Sequence, residues 1–456
     1  MSIATWFKGV RLPRGTAFGP PTPLSPPERL YLPLRQHRGA VCQAKVEPGQ
    51  QVGMGQLLGS SDEFDSAAVL SPVSGTVESI RDWADPAGQP VPTIVIRNDG
   101  QDIWATPEGE IRPPLSDPDE VAKARPTRLL RRIREAGLVR AASHGLPLHV
   151  DLSPPMAPRS YLFMTGIPVV RPTDTLVIRA LDHDPPVCPN QAALAGLNLT
   201  ELDLGVTALK RISGAEKVIL AVPAGQVATE VAALARLREW EVRTQSTTHF
   251  PYCTDNLLVT SLTGREVPTP YGEPRDVGVV VEPLVTALEV GRVLISAKPN
   301  LERIFAVAGD VAKPQAFTAR LGTPIAEAIQ AAGGGLGGSG KVIVGGPMMG
   351  FAHFDPLTPI TKETDGVFVQ AAEHLRRYAD HPCIHCGRCV ASCPVNLVPS
   401  ELSKLCEFQR FEDAAEADLF HCIECGVCAY VCPARRPMVH YFRHGKSEVL
   451  ARRMEE

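Results

Sequence analysis

Aromatic side chains are scarce in this chain, at 5% of its residues, which leaves little material for stacking nucleic-acid bases and points away from a nucleic-acid partner. Charge of one sign is lacking too. The formal net charge is only −4 over 456 residues, so no whole-molecule field favours nucleic acid or an acidic partner. Long uncharged apolar runs are missing. The strongest candidate, Val277 to Ile295, is interrupted by Glu282, Glu289 and Arg292, and reads as a buried strand and helix rather than a bilayer span. The opening Met1-Ser-Ile-Ala-Thr-Trp-Phe-Lys-Gly9 lacks the apolar region of a signal peptide. The expectation is a cytoplasmic protein whose membrane association comes through a partner. With 44% hydrophobic and 21% charged residues the chain is globular, and its length implies about two to four domains.

Turn chemistry divides the chain. The first 28 residues hold Pro20-Pro21 and Pro26-Pro27, which forbid a helix and suit an arm lying on another domain. Residues 29–100 read as short strands broken by Pro48-Gly49, Gly53-Met54-Gly55-Gln56 and Ser71-Pro72-Val73-Ser74-Gly75. This looks like the barrel-sandwich fold of biotinyl and lipoyl carriers. Such carriers acylate a lysine at a hairpin tip, but Leu57 to Gly75 contains none and offers Asp62, Glu63 and Asp65 instead. A packing module without a swinging arm is expected. A linker over 101–120 leads to an α/β domain over 121–298. There Thr175–Arg179, Lys217–Val222 and Asp276–Val281 are apolar, β-branched runs, and Arg125–Ala136, Asn190–Ile212 and Val227–Trp240 are helical in period. Residues 299–370 suit a small β-grasp-like unit with strands Arg303–Ala308, Gln315–Arg320 and Lys341–Val344. Residues 371–456 read as helical around two cysteine runs. The loop Gly335-Leu-Gly337-Gly-Ser-Gly340-Lys341 spells G-x-G-x-x-G, but a phosphate cradle needs a strand before it and a helix after. Here that order is reversed, and a flexible loop is expected.

Twelve cysteines are present, and eight of them fall between Cys383 and Cys432 in two runs. The first is Cys383-Ile-His-Cys386-Gly-Arg-Cys389-Val-Ala-Ser-Cys393-Pro394; the second is Cys422-Ile-Glu-Cys425-Gly-Val-Cys428-Ala-Tyr-Val-Cys432-Pro433. Each is C-x2-C-x2-C-x3-C-P, the bacterial dicluster ferredoxin pattern, in which the fourth cysteine of each run ligates the other cluster. Cys383, Cys386, Cys389 and Cys432 are thereby assigned to one [4Fe–4S] cluster, and Cys422, Cys425, Cys428 and Cys393 to a second. Gly387 and Gly426, at matching positions, would let backbone N–H groups approach the cluster sulfides and raise the potential. Structural zinc is the competing reading. Zinc ribbons use two C-x2-C pairs separated by a longer loop and require neither a third close thiolate nor the Cys-Pro step. The solitary Cys42, Cys188, Cys253 and Cys406 read as small buried hydrophobes.

Further words accompany the cysteine runs: Pro33-Leu34-x-Gln36-His37-x-Gly39-Ala40, Arg134-Glu-Ala-Gly-Leu-Val139, Leu262-Thr-Gly-Arg-Glu-Val-Pro268, Gly345-Gly-Pro-Met-Met-Gly350, and Tyr441-Phe-Arg443 with Lys446. Together, in this order, they resemble the RnfC subunits of Rnf ion-translocating oxidoreductases, which are similar to the flavin subunit of respiratory complex I. The resemblance implies an α/β multidomain protein: a barrel-sandwich hybrid, a complex I flavin-subunit-like α/β domain, an SLBB β-grasp unit and a helical dicluster ferredoxin domain. It also implies FMN and hydride input from NADH at the α/β domain, at positions corresponding to Arg140, Gly145, Asp182 and Asp184.

Those positions depart from the family pattern. The family's glycine-rich GLGGAGFPTH is Arg140-Ala-Ala-Ser-His-Gly145-Leu-Pro147-Leu-His149 here, placing side chains where a phosphate cradle needs bare backbone. NGAECEP becomes Arg179-Ala-Leu-Asp182-His183-Asp184-Pro185, YPQGAEKQL becomes Phe250-Pro-Tyr-Cys-Thr-Asp-Asn-Leu-Leu258, and Glu282 replaces an asparagine. Two readings follow. Either the FMN and NADH site is lost, or Arg140 pairs directly with the FMN phosphate. The expected function is a peripheral electron-transfer subunit on the inner face of the cell membrane. Its partners would be the other subunits of a membrane oxidoreductase and a ferredoxin-like donor or acceptor. The alternatives are a corrinoid reductase of the PduS type and an iron–sulfur scaffold without catalysis. The basic C-terminal residues Arg435, Arg436, Arg443, Lys446, Arg452 and Arg453 either dock an acidic partner or membrane face, or solvate a helix.

Overall fold

The computed structural model describes residues 8–12, 18–84, 90–106, 113–141, 145–153, 172–225, 227–247, 249–270, 272–335, 340–375, 378 and 381–455. Residues 29–98 form two facing antiparallel sheets. One is ordered Arg29–Pro33, Pro90–Asn98, Gly75–Ala84, Gln51–Val52, and the other Gln43–Ala44, Leu57–Ser60, Val69–Leu70. Alternation along Arg29–Pro33 and Pro90–Asn98 sends Leu30, Leu32, Ile94 and Ile96 inward against Leu58 and Val73. Each such side chain contributes about 1.5–3 kcal/mol by leaving water.

A parallel sheet follows, in the order Glu241–Gln245, Lys217–Pro223, Thr175–Arg179, Val279–Pro283. The β-branched runs form its three inner and far strands, buried on both faces as a helix-covered parallel sheet requires. Asp276–Val277 belongs to a 3-10 turn instead, and the strand begins at Val279. The Asn190–Ile212 period splits at Gly196 into helices Pro189–Ala195 and Leu199–Ser213. Helix Leu199–Ser213 crosses helix Leu284–Ser296 backbone to backbone. A Cβ on Gly205 would lie 1.8 Å from the Ala287 carbonyl oxygen, and one on Gly291 would lie 1.9 Å from that of Glu201.

Chain order reverses across this sheet. The second and third strands add on one side of Thr175–Arg179, and the last adds on the other. The carboxyl ends of Thr175–Arg179 and Val279–Pro283 therefore flank the topological switch point, where open α/β sheets bind ligands.

The next unit is a mixed sheet ordered Phe351–His353, Lys341–Val344, Gly366–Gln370, Glu302–Gly309, Gln315–Arg320, Thr22–Pro23, with helix Ile325–Ala331 on one face. The N-terminal arm supplies its edge strand, and Val10–Arg11 pairs with His249–Phe250 of the α/β unit. The reversed glycine motif lies largely outside the described residues, at 336–339. Short helices Arg388–Ser392, Pro399–Glu407, Phe411–Glu416 and Val427–Tyr430 pack against the long helix Met438–Glu455 to close the C-terminal unit. All four solitary cysteines are buried.

Candidate metal centre and the strand-end crevice

The two cysteine runs fold as copies of each other. His385 and Glu424, each just before a second cysteine, have φ of 56° and 55°. Gly387 and Gly426, just after it, have φ of 70° and 78°. Asn396 and Arg435, three residues beyond the last cysteine of each run, have φ of 59° and 53°. Left-handed backbone on both sides of one thiol curls the chain into a tight cup. The cost at the non-glycine positions marks a constrained site.

Two separate cavities result. The first is lined by Cys383, Cys386, Cys389 and Cys432, with Ser400 and Met438 behind them. The second is lined by Cys393, Cys422, Cys425 and Cys428, under Leu397, Leu402 and Phe442. Each cavity thus gathers three thiols from one run and the fourth from the other. Among the described residues, no three His, Cys, Asp or Glu side chains converge as ligands of a single metal ion. The thiolates of a cubane each take a different iron. Burial pushes the Cys422 thiol up to about 11 and the Cys425 thiol to about 12. These sulfurs hold protons at neutral pH, and a metal that takes them as thiolates must displace those protons.

The second cavity is roofed by the rest of the molecule. Met348, Met349, Phe250 and Val10 pack on Ile423 and Val427, and a Cβ on Gly426 would lie 2.8 Å from the Met348 carbonyl oxygen. Glu424 accepts hydrogen bonds from Arg443 at 2.9 Å and Lys446 at 2.8 Å, and Lys446 also donates to the Cys422 carbonyl at 2.7 Å. These basic groups brace the second cysteine loop rather than face a partner. Arg436 is buried and paired with Glu407, while Arg452 and Arg453 lie over the rings of Phe411 and Phe420.

At the switch point of the parallel sheet, charged side chains fill the crevice. Arg140 donates to Asp255 at 2.5 Å and to the Val281 carbonyl at 3.0 Å, and lies 3.6 Å from Asp151 and 3.7 Å from Glu282. Arg179, at the end of its strand and only 1% exposed, lies 3.3 Å from Asp255 and donates to the Leu181 carbonyl. Burial disfavours charge on Arg140, but Asp255 and then Asp151 outweigh it and hold the guanidinium protonated. Burial, then Asp151, drives the Glu282 carboxyl well above the usual range and favours its protonated form. Arg140 and Arg179 therefore face the acidic side chains of Asp255 and Asp151, which offset their charge.

The other sequence-derived positions are also engaged. Asp182 accepts from the backbone N–H groups of Asn190 at 2.8 Å and Gln191 at 3.1 Å, capping helix Pro189–Ala195. Asp184 accepts from the N–H groups of Met348 at 3.1 Å and Met349 at 2.7 Å, and Gly346 leaves room for it. The Gly145 carbonyl accepts from Arg38 N–H at 3.0 Å, and His149 donates to the Phe64 carbonyl at 2.8 Å. The barrel module's acidic hairpin thus docks on the loop that aligns with the glycine-rich cradle, whose residues 142–144 lie outside the described set. Sequence reasoning did not single out Arg179 or Asp255. An arginine closing an otherwise apolar strand was the available signal.

Three family models match the chain: the RnfC barrel sandwich hybrid domain at residues 6–101, the SLBB domain at 304–352 and the 4Fe-4S dicluster domain at 382–435. A component of the proton-translocating ferredoxin:NAD(+) oxidoreductase complex of Clostridium ljungdahlii is 32% identical, over 92% of this chain and 88% of its own. The Na(+)-translocating counterpart from Acetobacterium woodii is 30% identical, over 94% of this chain and 92% of its own. The chain belongs to the RnfC family. A chain of NAD+-reducing [NiFe]-hydrogenase superposes with a TM-score of 0.49 at 17% identity, covering 75% of this chain and 67% of that one.

As an RnfC protein the chain carries a 4Fe-4S dicluster domain, and its donor set fits the iron–sulfur chemistry, with four sulfur donors in each of two cavities. Flavin mononucleotide does not fit the described residues of the RnfC α/β unit. A flavin phosphate needs uncommitted N–H donors and net positive charge. Here the Asp182 and Asp184 carboxylates occupy the nearby backbone donors, and acidic side chains already offset the charge of Arg140.

Proposed function

We propose that this chain is the peripheral electron-relay subunit of an Rnf-type ion-translocating membrane oxidoreductase. It would hold two [4Fe–4S] clusters, one on Cys383, Cys386, Cys389 and Cys432 and the other on Cys393, Cys422, Cys425 and Cys428. The observation that carries this reading is the interleaving of the two runs around two cavities. Each cluster, when bound, supplies reversible one-electron chemistry. The protein's part is to hold the two sites side by side, to bury one beneath apolar side chains and to leave the other near the surface. Crossing the fourth cysteine ties the runs together, so neither site moves without the other.

Electrons enter this chain as single electrons from a protein donor, with no flavin of its own to split a hydride pair. The charge-paired crevice at the switch point supports this. Attachment to the inner face of the membrane runs through partner subunits, since no described helix is long and apolar enough to cross a bilayer. The names of the two relatives, components of complexes that translocate different cations, support membership in such an assembly.

One anaerobic sample tests both halves of the proposal. Quantitation should give about eight iron atoms per chain, as two cubanes require, paired [4Fe–4S] EPR signals after dithionite, and no stoichiometric FMN on denaturation. Stoichiometric zinc in a colourless protein would overturn the cluster assignment. One FMN per chain would overturn the flavin-free relay and leave the clusters standing.

A further inference from the structure

The two cysteine cavities differ in their relation to solvent. Cys393, Cys425 and Cys428 are buried and Cys422 is half-buried, and Met348, Met349, Phe250 and Val10 pack against the loop that lines their cavity. The loop bearing Cys383 and Cys386 is open. Cys386 is exposed, and its neighbour Ile384 is 64% exposed. Val398 and Tyr430, 44% and 47% exposed, stand on the flanking segments, and Tyr430 with Arg388 and Pro433 lines a shallow concavity beside Cys432. Exposed apolar side chains around a redox centre form the dry middle of an interface, which shortens the electron's path and excludes water.

Within the two cysteine-bearing segments charge has one sign, with Glu401 the exposed carboxylate next along the chain. From His381 to Ser400 the chain contains no carboxylate and carries Arg388; from Cys425 to Val439 it contains none and carries Arg435 and Arg436. Arg436 is buried on Glu407, but Arg388 and Arg435 are exposed. The Lys404 ammonium lies 3.3 Å from His385 on the same rim. Four thiolates make a bound cluster anionic, and these cations offset that charge while projecting beyond it. By contrast, the C-terminal helix commits Arg443 and Lys446 to Glu424. The basic rim of the outer cluster, not the basic tail, is the positive surface with an electron carrier beneath it.

We propose that the face formed by Ile384, Val398 and Tyr430, rimmed by Arg388, Arg435 and Lys404, is the electron port of this chain. Its partner is a one-electron protein whose own centre is ringed by carboxylates. One electron crosses the interface; no bond is made or broken and no proton moves. The partner's centre is oxidised as the cluster site on Cys383, Cys386, Cys389 and Cys432 is reduced. The inner site, whose loop packs against Met348 and Met349 of the Gly345–Gly350 segment, stands between this port and the rest of the molecule. This inference rests on the cluster reading above and adds the partner's chemistry and the side of approach.

Stopped-flow reduction of the full-length, cluster-loaded chain by a purified, prereduced acidic bacterial ferredoxin tests it. The bimolecular rate for the unaltered protein should fall steeply between 50 and 500 mM NaCl, since rim charges act on the rate of encounter. The double variant Arg388→Glu, Arg435→Asp should be slower by about tenfold at low salt, with a flattened or inverted salt dependence. Aspartate tolerates the left-handed backbone at position 435. Reduction by a small uncharged mediator should not change, nor should iron content. Arg452→Glu with Arg453→Glu should leave the ferredoxin rate unchanged. A flat salt dependence in the unaltered protein would sink the proposal without any variant. So would an unchanged rate in the double variant, or a loss of rate confined to the Arg452, Arg453 pair. Iron absent from the unaltered protein would instead refute the clusters themselves.

Discussion

Asp184 shows how a residue chosen for one role serves another. Its acidity at a position matching the family's flavin site made it a candidate ligand, but its carboxylate holds the N–H groups of Met348 and Met349. Burial raises its pKa to about 7, against the opposing effect of those two N–H donors. The sign follows from linkage. An acid whose folded pKa lies above its unfolded value of about 4 binds more protons in the native state. Its contribution is complete below about pH 4 and is lost as pH rises through about 7. Asp184→Asn should therefore lose less stability than the native chain between pH 4 and 8, by about 2–4 kcal/mol. Urea unfolding midpoints across that range would measure the difference. Sequence could show that an acid sits at position 184. Whether it meets a ligand or a backbone turn depends on Gly346, which is distant in the chain and leaves the space the carboxylate occupies.

At the scale of elements, Thr175–Arg179, Gln315–Arg320 and Lys341–Val344 were legible to the residue; in the first and last, β-branched runs have few alternatives to a buried strand. The fourth strand of the parallel sheet, Glu241–Gln245, was not. It lies at the edge, alternates polar groups and leaves Arg243 and Thr244 exposed, so it carries no apolar signature. The helix pair at Gly205 and Gly291 was equally silent, since a glycine inside a helix looks like a flaw until its neighbour is known. Here the two backbones touch, and a methyl group on either must push them apart. Gly291→Ala should cost about 1–3 kcal/mol by overpacking, despite alanine's better helix propensity. A lowered denaturant midpoint for the α/β unit would show it. A raised midpoint would mean that the crossing is looser than the contact distances state.

Across the whole molecule, Lys362 joins three units. It belongs to the β-grasp unit and donates to Ala68 of the barrel at 2.6 Å and to Gly137 of the α/β unit at 2.7 Å. Arg303 repeats the theme, reaching from the mixed sheet to Glu289 in helix Leu284–Ser296 at 3.1 Å. Lys362→Met keeps the stem but leaves two buried carbonyls without their donor, a loss of about 1–3 kcal/mol. Faster hydrogen exchange should spread over Ala67–Leu70 and Leu138–Val139, while the cluster EPR signals stay unchanged. Exchange unchanged at those segments would mean that the units are held by other contacts.

The cysteine spacing alone determined the metal chemistry. Two-residue gaps and a Cys-Pro step are local covalent constraints, and they act the same way wherever the segment is placed. The runs of β-branched residues likewise decided three of the four strands of the parallel sheet. Tertiary structure decided what the charged residues do. A guanidinium's role is set by whichever carboxylates and carbonyls reach it, and for Arg140 these come from Asp151, Asp255 and the strand end at Val281–Glu282. Only the folded chain brings them together. It also decided which of two near-identical cysteine loops faces solvent, because the methionines that cover one of them arrive from another unit.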